Sequence, residues 1–373
     1  MLSIWERNEF IHYDHIIIGS GIVGLTTAYY LKIKHPSKSV LILERGLLPS
    51  GASTKNAGFA CMGSLTEILD DLKTSSEEEV LNLFILRKRG LSRLKSILGE
   101  NKLGYKANGS YELIFEKEAS ALEQIEYCNH LLRNELNQDA FKLNNAKLEE
   151  FGFQGVHALI ENTCEGEIDT GLMMKHLLQL VMSMGVEIKT GCQVLSFEDK
   201  TNNVDVISYN PVFNNELIFK TNKLIICTNA FAQQLLPQID VTPGRGQVLI
   251  TKPIQGLKFQ GIFHFEEGYY YFREYKGCIL FGGGRNIDKQ TETTTQFELN
   301  KKIQQGLWDK LEQIILPNQA FEIDMQWSGI MAFGPTKKPI VMPHSENVYI
   351  GVRMGGMGVA IGSEVGFSLA EML

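Results

Sequence analysis

Asp14-His15-Ile16-Ile17-Ile18-Gly19-Ser20-Gly21-Ile22-Val23-Gly24-Leu25 is the stretch whose reading decides the fold of this chain. A near-continuous apolar run ahead of the first glycine suits a central strand of a parallel sheet covered on both faces. Gly19 permits the tight turn from strand to helix, Gly21 lets the backbone approach a pyrophosphate, and Gly24 lets the helix pack closely on the strand. Ser20, Ile22 and Val23 complete the turn, and the diphosphate sits at a helix N-terminus, where free N–H groups and the dipole favour negative charge. Ser39-Val40-Leu41-Ile42-Leu43-Glu44 reads as the next parallel strand, its carboxylate 20 residues beyond Gly24. An acid at that place accepts hydrogen bonds from unphosphorylated ribose hydroxyls. Three glycines alone would equally suit a tight turn that binds nothing; strand, helix and acid in their required places favour a dinucleotide.

Outward from this motif, 373 residues exceed what one hydrophobic core usually supports, so two domains are expected. A hydrophobic content of 44% and a charged content of 21% describe an ordinary globular protein. The net charge of −7 leaves no polyanion-binding footprint, so nucleic acid is not expected as the main partner. Cys61, Cys128, Cys164, Cys192, Cys227 and Cys278 are scattered without a CxxC pair or a neighbouring histidine cluster. Neither a metal site nor a disulfide framework is expected. The N-terminus is charged before any apolar run, and no apolar stretch reaches membrane-spanning length, so a cytoplasmic protein is expected.

After Glu44 and Arg45 comes Leu48-Pro49-Ser50-Gly51-Ala52-Ser53-Thr54-Lys55-Asn56-Ala57-Gly58. Its small and hydroxyl-bearing residues let a loop press against a ligand, with Ser53, Thr54 and Asn56 able to bond phosphate or ring atoms; a surface turn has the same composition. Together these segments resemble the FAD-dependent D-amino acid oxidase superfamily, which includes glycine, sarcosine and gamma-glutamylputrescine oxidases. Gly166-Glu-Ile-Asp169, Met184-Gly-Val-Glu-Ile188, Lys223-Leu-Ile-Ile-Cys-Thr-Asn-Ala230, Pro243-Gly-Arg-Gly-Gln-Val248 and Val348-Tyr-Ile-Gly351 with Gly355-Gly-Met-Gly358 are similar to segments that recur there in this order. The resemblance implies an α/β fold in which a discontinuous Rossmann-like FAD domain (1–85, 155–232 and 330–373) interleaves with a mixed or antiparallel-sheet substrate domain (86–154 and 233–329). It adds Val194, Thr228, Asn229, Ala230, Gly355, Gly356, Met357, Gly358 and Val359 to the cofactor-binding candidates.

Periodicity agrees with interleaving. Residues 65–100 and Glu118–Glu135 read as helices, Gly109–Phe115 as a strand, Met173–Met184 as a helix ended by Gly185, and Leu224–Thr228 as a buried parallel strand. In Gly268-Tyr-Tyr-Tyr-Phe-Arg273-Glu-Tyr-Lys-Gly277-Cys-Ile-Leu-Phe-Gly282 two strand-like runs flank a hairpin turn. Alternation puts Tyr269, Tyr271 and Arg273 on one face, Tyr270 and Phe272 on the other. Facing a cavity, Arg273 would bind a substrate carboxylate bidentately with a tyrosine hydroxyl donating beside it. On a solvated face it would pair with Glu266 or Glu274 instead. Arg285 and Arg353 are the rival candidates.

Where the family usually has glycine, histidine, glycine, this chain has Gly356-Met357-Gly358. The lysine that holds the carboxylate in sarcosine oxidases is absent, as is the flavin-bearing cysteine in the segment like Trp327–Phe333. Non-covalent FAD is expected, with an amine or amino acid giving a hydride to flavin N5 and O2 or another acceptor reoxidising it; the imine then hydrolyses. No side-chain base is strictly required, since the cofactor carries the hard chemistry. A flavoenzyme of tRNA modification and an FAD-binding protein without turnover remain alternatives, and the oligomeric state stays open.

Overall fold

The structure, a computed structural model, describes residues 2–373. His12–Ile18 is indeed a central strand, parallel to Val40–Leu43 on one side and Asn215–Ile226 on the other. Glu187–Lys189 extends the sheet beyond Val40–Leu43, and Val348–Val352 extends it beyond Asn215–Ile226. The alternating sides of the central strand meet different cores. Ile17, Ile42 and Ile225 pack with Leu25, Leu31, Leu177 and Leu369 from the helices Ile22–Lys34, Thr170–Ser183 and Gly358–Glu371. Ile16, Ile18, Leu41 and Leu224 pack on the opposite side with Phe219, Ala232 and Leu236. Burial on both faces is why the strand reads as continuously apolar rather than alternating.

The second sheet is mixed, in the order Ile323–Phe333, Thr242–Thr251, Cys278–Gly283, Tyr270–Tyr275, Ile262–Phe265, Ser110–Ile114, Ala158–Asn162, Phe141–Leu143. One face is an aromatic core in which Phe263 and Phe272 stack at 4.6 Å and Phe265 and Tyr270 at 4.9 Å. The other face looks toward the first sheet across a cavity. The hairpin forms as expected: Tyr275 pairs with Cys278, and Lys276 (φ 54) and Gly277 (φ 80) make a two-residue turn with both residues left-handed. That is the geometry whose twist matches the flanking strands.

Four segments differ from expectation. The stretch 65–100 contains two longer helices, Leu65–Leu72 and Glu77–Leu98, because Ser76 caps the second with a reciprocal Ser76–Glu79 box. The segment 118–135 is a 3₁₀ stretch over Glu116–Gln124 before an α-helix over Ile125–Leu136. Strand Ala158–Asn162 pairs with Ser110–Ile114 in the second sheet, although it falls after residue 155; strand Ile323–Phe333 straddles residue 330. Periodicity reports that a segment is buried on one side, not which sheet it joins.

Candidate functional site

Between the sheets lies a cavity of about 470 Å³ running from the Gly19 turn to the Tyr271 strand. At the turn, Gly19 has φ +105°, and a Cβ there would meet the Cys227 carbonyl oxygen at 2.9 Å. A Cβ on Gly24 would come within 2.0 Å of the Gly19 oxygen, so helix and turn touch backbone to backbone. Gly21 is the N-cap of helix Ile22–Lys34 and supplies no capping side chain. Ser53 Oγ, from the facing loop, accepts from Ile22 N at 3.0 Å. The positive end of this helix therefore opens into the cavity, as an anionic diphosphate requires.

Glu44 is 5% exposed and lines the same end. Its carboxylate accepts from Ser20 N (3.1 Å), Ser20 Oγ (2.8 Å), Gly46 N (3.0 Å) and Ser50 Oγ (3.0 Å). These contacts match the roughly four acceptor directions of a carboxylate. Ribose hydroxyls would take over directions held by the two serine hydroxyls, which can rotate, while the two amides keep the carboxylate in place. Thr228 supplies an independent sign of a ligand, since its Oγ1 is buried without a partner and the residue lines the cavity. The cradle and this orphaned hydroxyl fit an FAD.

Most of the expected cofactor residues come together here. Ile22, Val23, Arg45, Ala52, Asn56, Ala57, Val194, Asn229, Ala230 and the run Gly355–Val359 all line the cavity. Arg45 lies over the Phe231 ring at 3.6 Å. Asn229 Oδ1 accepts from Arg353 N at 3.0 Å and Met354 N at 3.3 Å, fixing the approach to the C-terminal glycines. Ser20, Gly24, Thr54 and Gly58 are not at the cavity surface; they build its walls. Thr54 Oγ1 donates to Pro49 O at 2.8 Å, and Gly58 O accepts from Arg273.

At the substrate end, register explains what faces the cavity. Glu112, His264, Tyr271, Gly282, Val248 and Trp327 are successive cross-strand partners and so share one face of the second sheet. Tyr271 stands in the middle, beside Gly282, where a side chain would collide with its ring and hydroxyl. Burial pushes its phenol up to about 12, so it stays a hydrogen-bond donor.

Of the three arginines, one reaches the cavity. Arg273 does not: it is 4% exposed, its Nη1 donates to Ile168 O (2.8 Å) and Gly58 O (3.0 Å), and its Nη2 lies 3.2 Å from Glu167 Oε2. Strand alternation placed it on the correct face, but Glu167, from strand Gly166–Glu167, covers it. Neither expected partner, Glu266 or Glu274, forms the ion pair. Arg353, with φ +68°, turns away to Lys338 O (3.0 Å), Asp240 (3.2 Å) and Thr336. Arg285 lines the cavity, its guanidinium 4.1 Å from the Phe333 centroid. No salt bridge reaches Arg285 among the described residues, because nearby Glu292 is committed to Arg245 at 2.7 Å. Burial lowers its pKa.

Sequence reasoning missed Phe59, Cys61, Glu67, His264 and Phe333, all in the lining. Cys61 Sγ is 3.7 Å from Met357 Sδ, and burial drives its thiol pKa well up, which makes it an inert packing group. His264 lies in strand Ile262–Phe265 and Glu67 in helix Leu65–Leu72, and nothing local in the sequence marks either.

A family model described as FAD dependent oxidoreductase matches residues 14–372. Among solved structures, L-proline dehydrogenase from P. horikoshii superposes with a TM-score of 0.77 at 20% identity, covering 97% of this chain and 93% of that one. Glycine oxidase from Bacillus cereus gives 0.76 at 17% identity, covering 96% and 94%. The bifunctional protein ThiO/ThiG of Trichormus variabilis is 25% identical over 63% of this chain and 34% of its own length. The chain thus spans about a third of the length of the curated relatives it matches. The chain belongs to the FAD dependent oxidoreductase family and takes FAD.

Proposed function

Since the chain is a member of the FAD dependent oxidoreductase family, we propose that it oxidises the C–N bond of an amino acid or a carboxylate-bearing secondary amine, with FAD held non-covalently. The observation that carries this reading is Arg285, a half-buried cation without an ion pair in the same cavity as the cofactor cradle and the Tyr271 hydroxyl. A planar fork of donors in a cavity that also holds a phenol suits a carboxylate. When bound, FAD would accept the two electrons that leave the substrate carbon as a hydride. The chain's residues do the rest. Arg285 and Tyr271 fix the carboxylate end, Phe59 and Phe333 exclude water, and the sheet wall limits rotation about the C–N bond. The amine must be uncharged for the C–H bond to break, and the oxidised product is an imine that water converts to a carbonyl compound and an amine or ammonia.

The glycine oxidase, proline dehydrogenase and iminodiacetate oxidase neighbours support a carboxylate-bearing amine as the substrate class. Anaerobic mixing of the yellow holoprotein with a panel of amino acids, N-substituted amino acids and simple amines tests it. Bleaching of the flavin by carboxylate-bearing amines is the expected result; bleaching by simple amines alone would overturn the role of Arg285, and no bleaching by any would overturn the activity.

A further inference from the structure

Glu67 lines the same cavity as Arg285, its carboxylate against Gly268. It lies in the first turn of helix Leu65–Leu72, where its Oε2 accepts from Ser64 N at 3.0 Å as part of a capping box. The cap uses one oxygen. The other, Oε1, lies against Gly268, close enough that a Cβ there would approach to 2.9 Å. Among the described residues no cation bridges Glu67: Lys73 goes to Asp70 (3.2 Å) and Glu267 (3.8 Å), and Lys337 goes to Asp71.

An acid at a cavity rim says little alone, but His264 makes it more specific. This residue is 5% exposed, shares the cavity-facing row with Tyr271, and packs edge-on against Phe59 at 5.1 Å. Its Nε2 is buried without a hydrogen-bond partner, and Glu67 is the charged neighbour that acts on the ring. Burial lowers the imidazole pKa, which keeps the ring neutral and one nitrogen an acceptor. Leaving a buried ring nitrogen unpaired is costly, so it marks a place where a hydrogen-bond partner belongs.

We infer that Glu67 and His264 form a subsite for a second, protonated nitrogen of the substrate, so that the cavity takes amino acids or N-substituted amino acids carrying a further basic group. An ammonium has three donors and no acceptor, which matches a carboxylate oxygen plus a neutral imidazole nitrogen. The nitrogen that reacts must give up its charge, whereas one paired with a carboxylate keeps it; Glu67 therefore serves the nitrogen that does not react. This substrate class rests on the proposal that Arg285 binds the substrate carboxylate.

Binding of straight-chain acids to the holoprotein tests the subsite without turnover. Butanoate, pentanoate and hexanoate are compared with the same acids bearing a terminal amine, by calorimetry or by perturbation of the flavin spectrum. At the best chain length the amino acid should bind at least about tenfold more tightly, equivalent to about 1.4 kcal/mol. That ratio should fall below about threefold in Glu67→Gln, whose amide oxygen can still cap the helix, and also in His264→Phe, which keeps the packing on Phe59. FAD content and melting temperature identify a variant that has failed to fold, in which case the other carries the test. Equal or weaker binding of every amino compound by the wild type, or a ratio unmoved in both folded variants, would overturn the subsite. Flavin bleaching by neutral amino acids with no binding preference would remove the subsite but leave the oxidation. A binding preference without bleaching by any amine would do the reverse.

Discussion

The two ends of the cavity are built differently. At the glycine turn of the cofactor end, the decisive contacts form between residues close in sequence or one βαβ unit apart: Gly19 with Gly24, Ser20 with Glu44, Ile22 with Ser53. At the substrate end, Tyr271, His264, Glu67, Arg285 and Phe333 come from strands, a helix and loops spread over much of the chain. A site made of short-range backbone constraints leaves a motif, because only certain residues satisfy the geometry. A site made by lateral strand pairing leaves none, because each side chain is chosen by neighbours distant in sequence.

Arg273 and Arg285 give the sharpest version of the contrast, one committed to protein and one open to ligand. Arg273→Met would remove the nearer of the two cations beside buried Glu167, leaving Lys106 at 3.9 Å, and would remove the donor to the Ile168 and Gly58 carbonyls. A stability loss of about 3–5 kcal/mol is expected in chemical denaturation, with any kinetic change shared by all substrates. A stable Arg273→Met protein defective only toward carboxylates would reverse the assignment of the two arginines.

At the other end, Gly24→Ala places a methyl group where 2.0 Å separates a Cβ from the Gly19 oxygen. Overpacking should cost about 3 kcal/mol, read as lost FAD content and a lower melting temperature. Arg285→Met should leave the fold intact and raise KM for amino acids by about 1.5–3 kcal/mol of lost charged hydrogen bonding, with neutral amines nearly unaffected. Glu44→Gln should weaken FAD binding in a titration of the apoprotein by an amount within that range, because Ser20 N and Gly46 N donate to different oxygens of Glu44 and a glutamine has one, so its amino group would oppose the other amide.

The smallest expected effect concerns the wall behind the substrate end. Glu112 and Glu165 are buried beside segment Cys61–Glu67, and burial raises both from 4.5 to about 7 despite hydroxyl and amide donors. Each binds its proton more tightly folded than unfolded. Their stabilising contribution is fully present below about pH 4.5 and is lost as pH rises through about 7. Stability should therefore fall by roughly 1 kcal/mol or more between pH 6 and pH 8, and the double variant Glu112→Gln, Glu165→Gln should flatten that slope. A wild-type slope of opposite sign would show that other groups dominate.

The sequence revealed the first sheet well, because Ile16, Ile17 and Ile18 are buried on both faces and Gly19 and Gly24 occupy positions that a side chain would fill. The hairpin was legible from Lys276-Gly277 and from alternation along Tyr269–Arg273. Alternation also correctly separated Tyr271 from the aromatic core holding Tyr270 and Phe272. It could not say that Glu167 would lie over Arg273, nor that Glu67 and His264 would line one cavity. Those juxtapositions depend on where strand Gly166–Glu167 and helix Leu65–Leu72 are delivered by the whole chain path.

Helix Gly358–Glu371 packs so closely on helix Ile22–Lys34 that a Cβ at Gly366 would come within 2.1 Å of Thr26 Oγ1, and the loop before it lines the cavity. The phosphate cradle at one end of the sequence thus shares a wall with a helix more than 300 residues away. Docking of that helix and occupancy of the cavity by FAD are thermodynamically linked, so each favours the other.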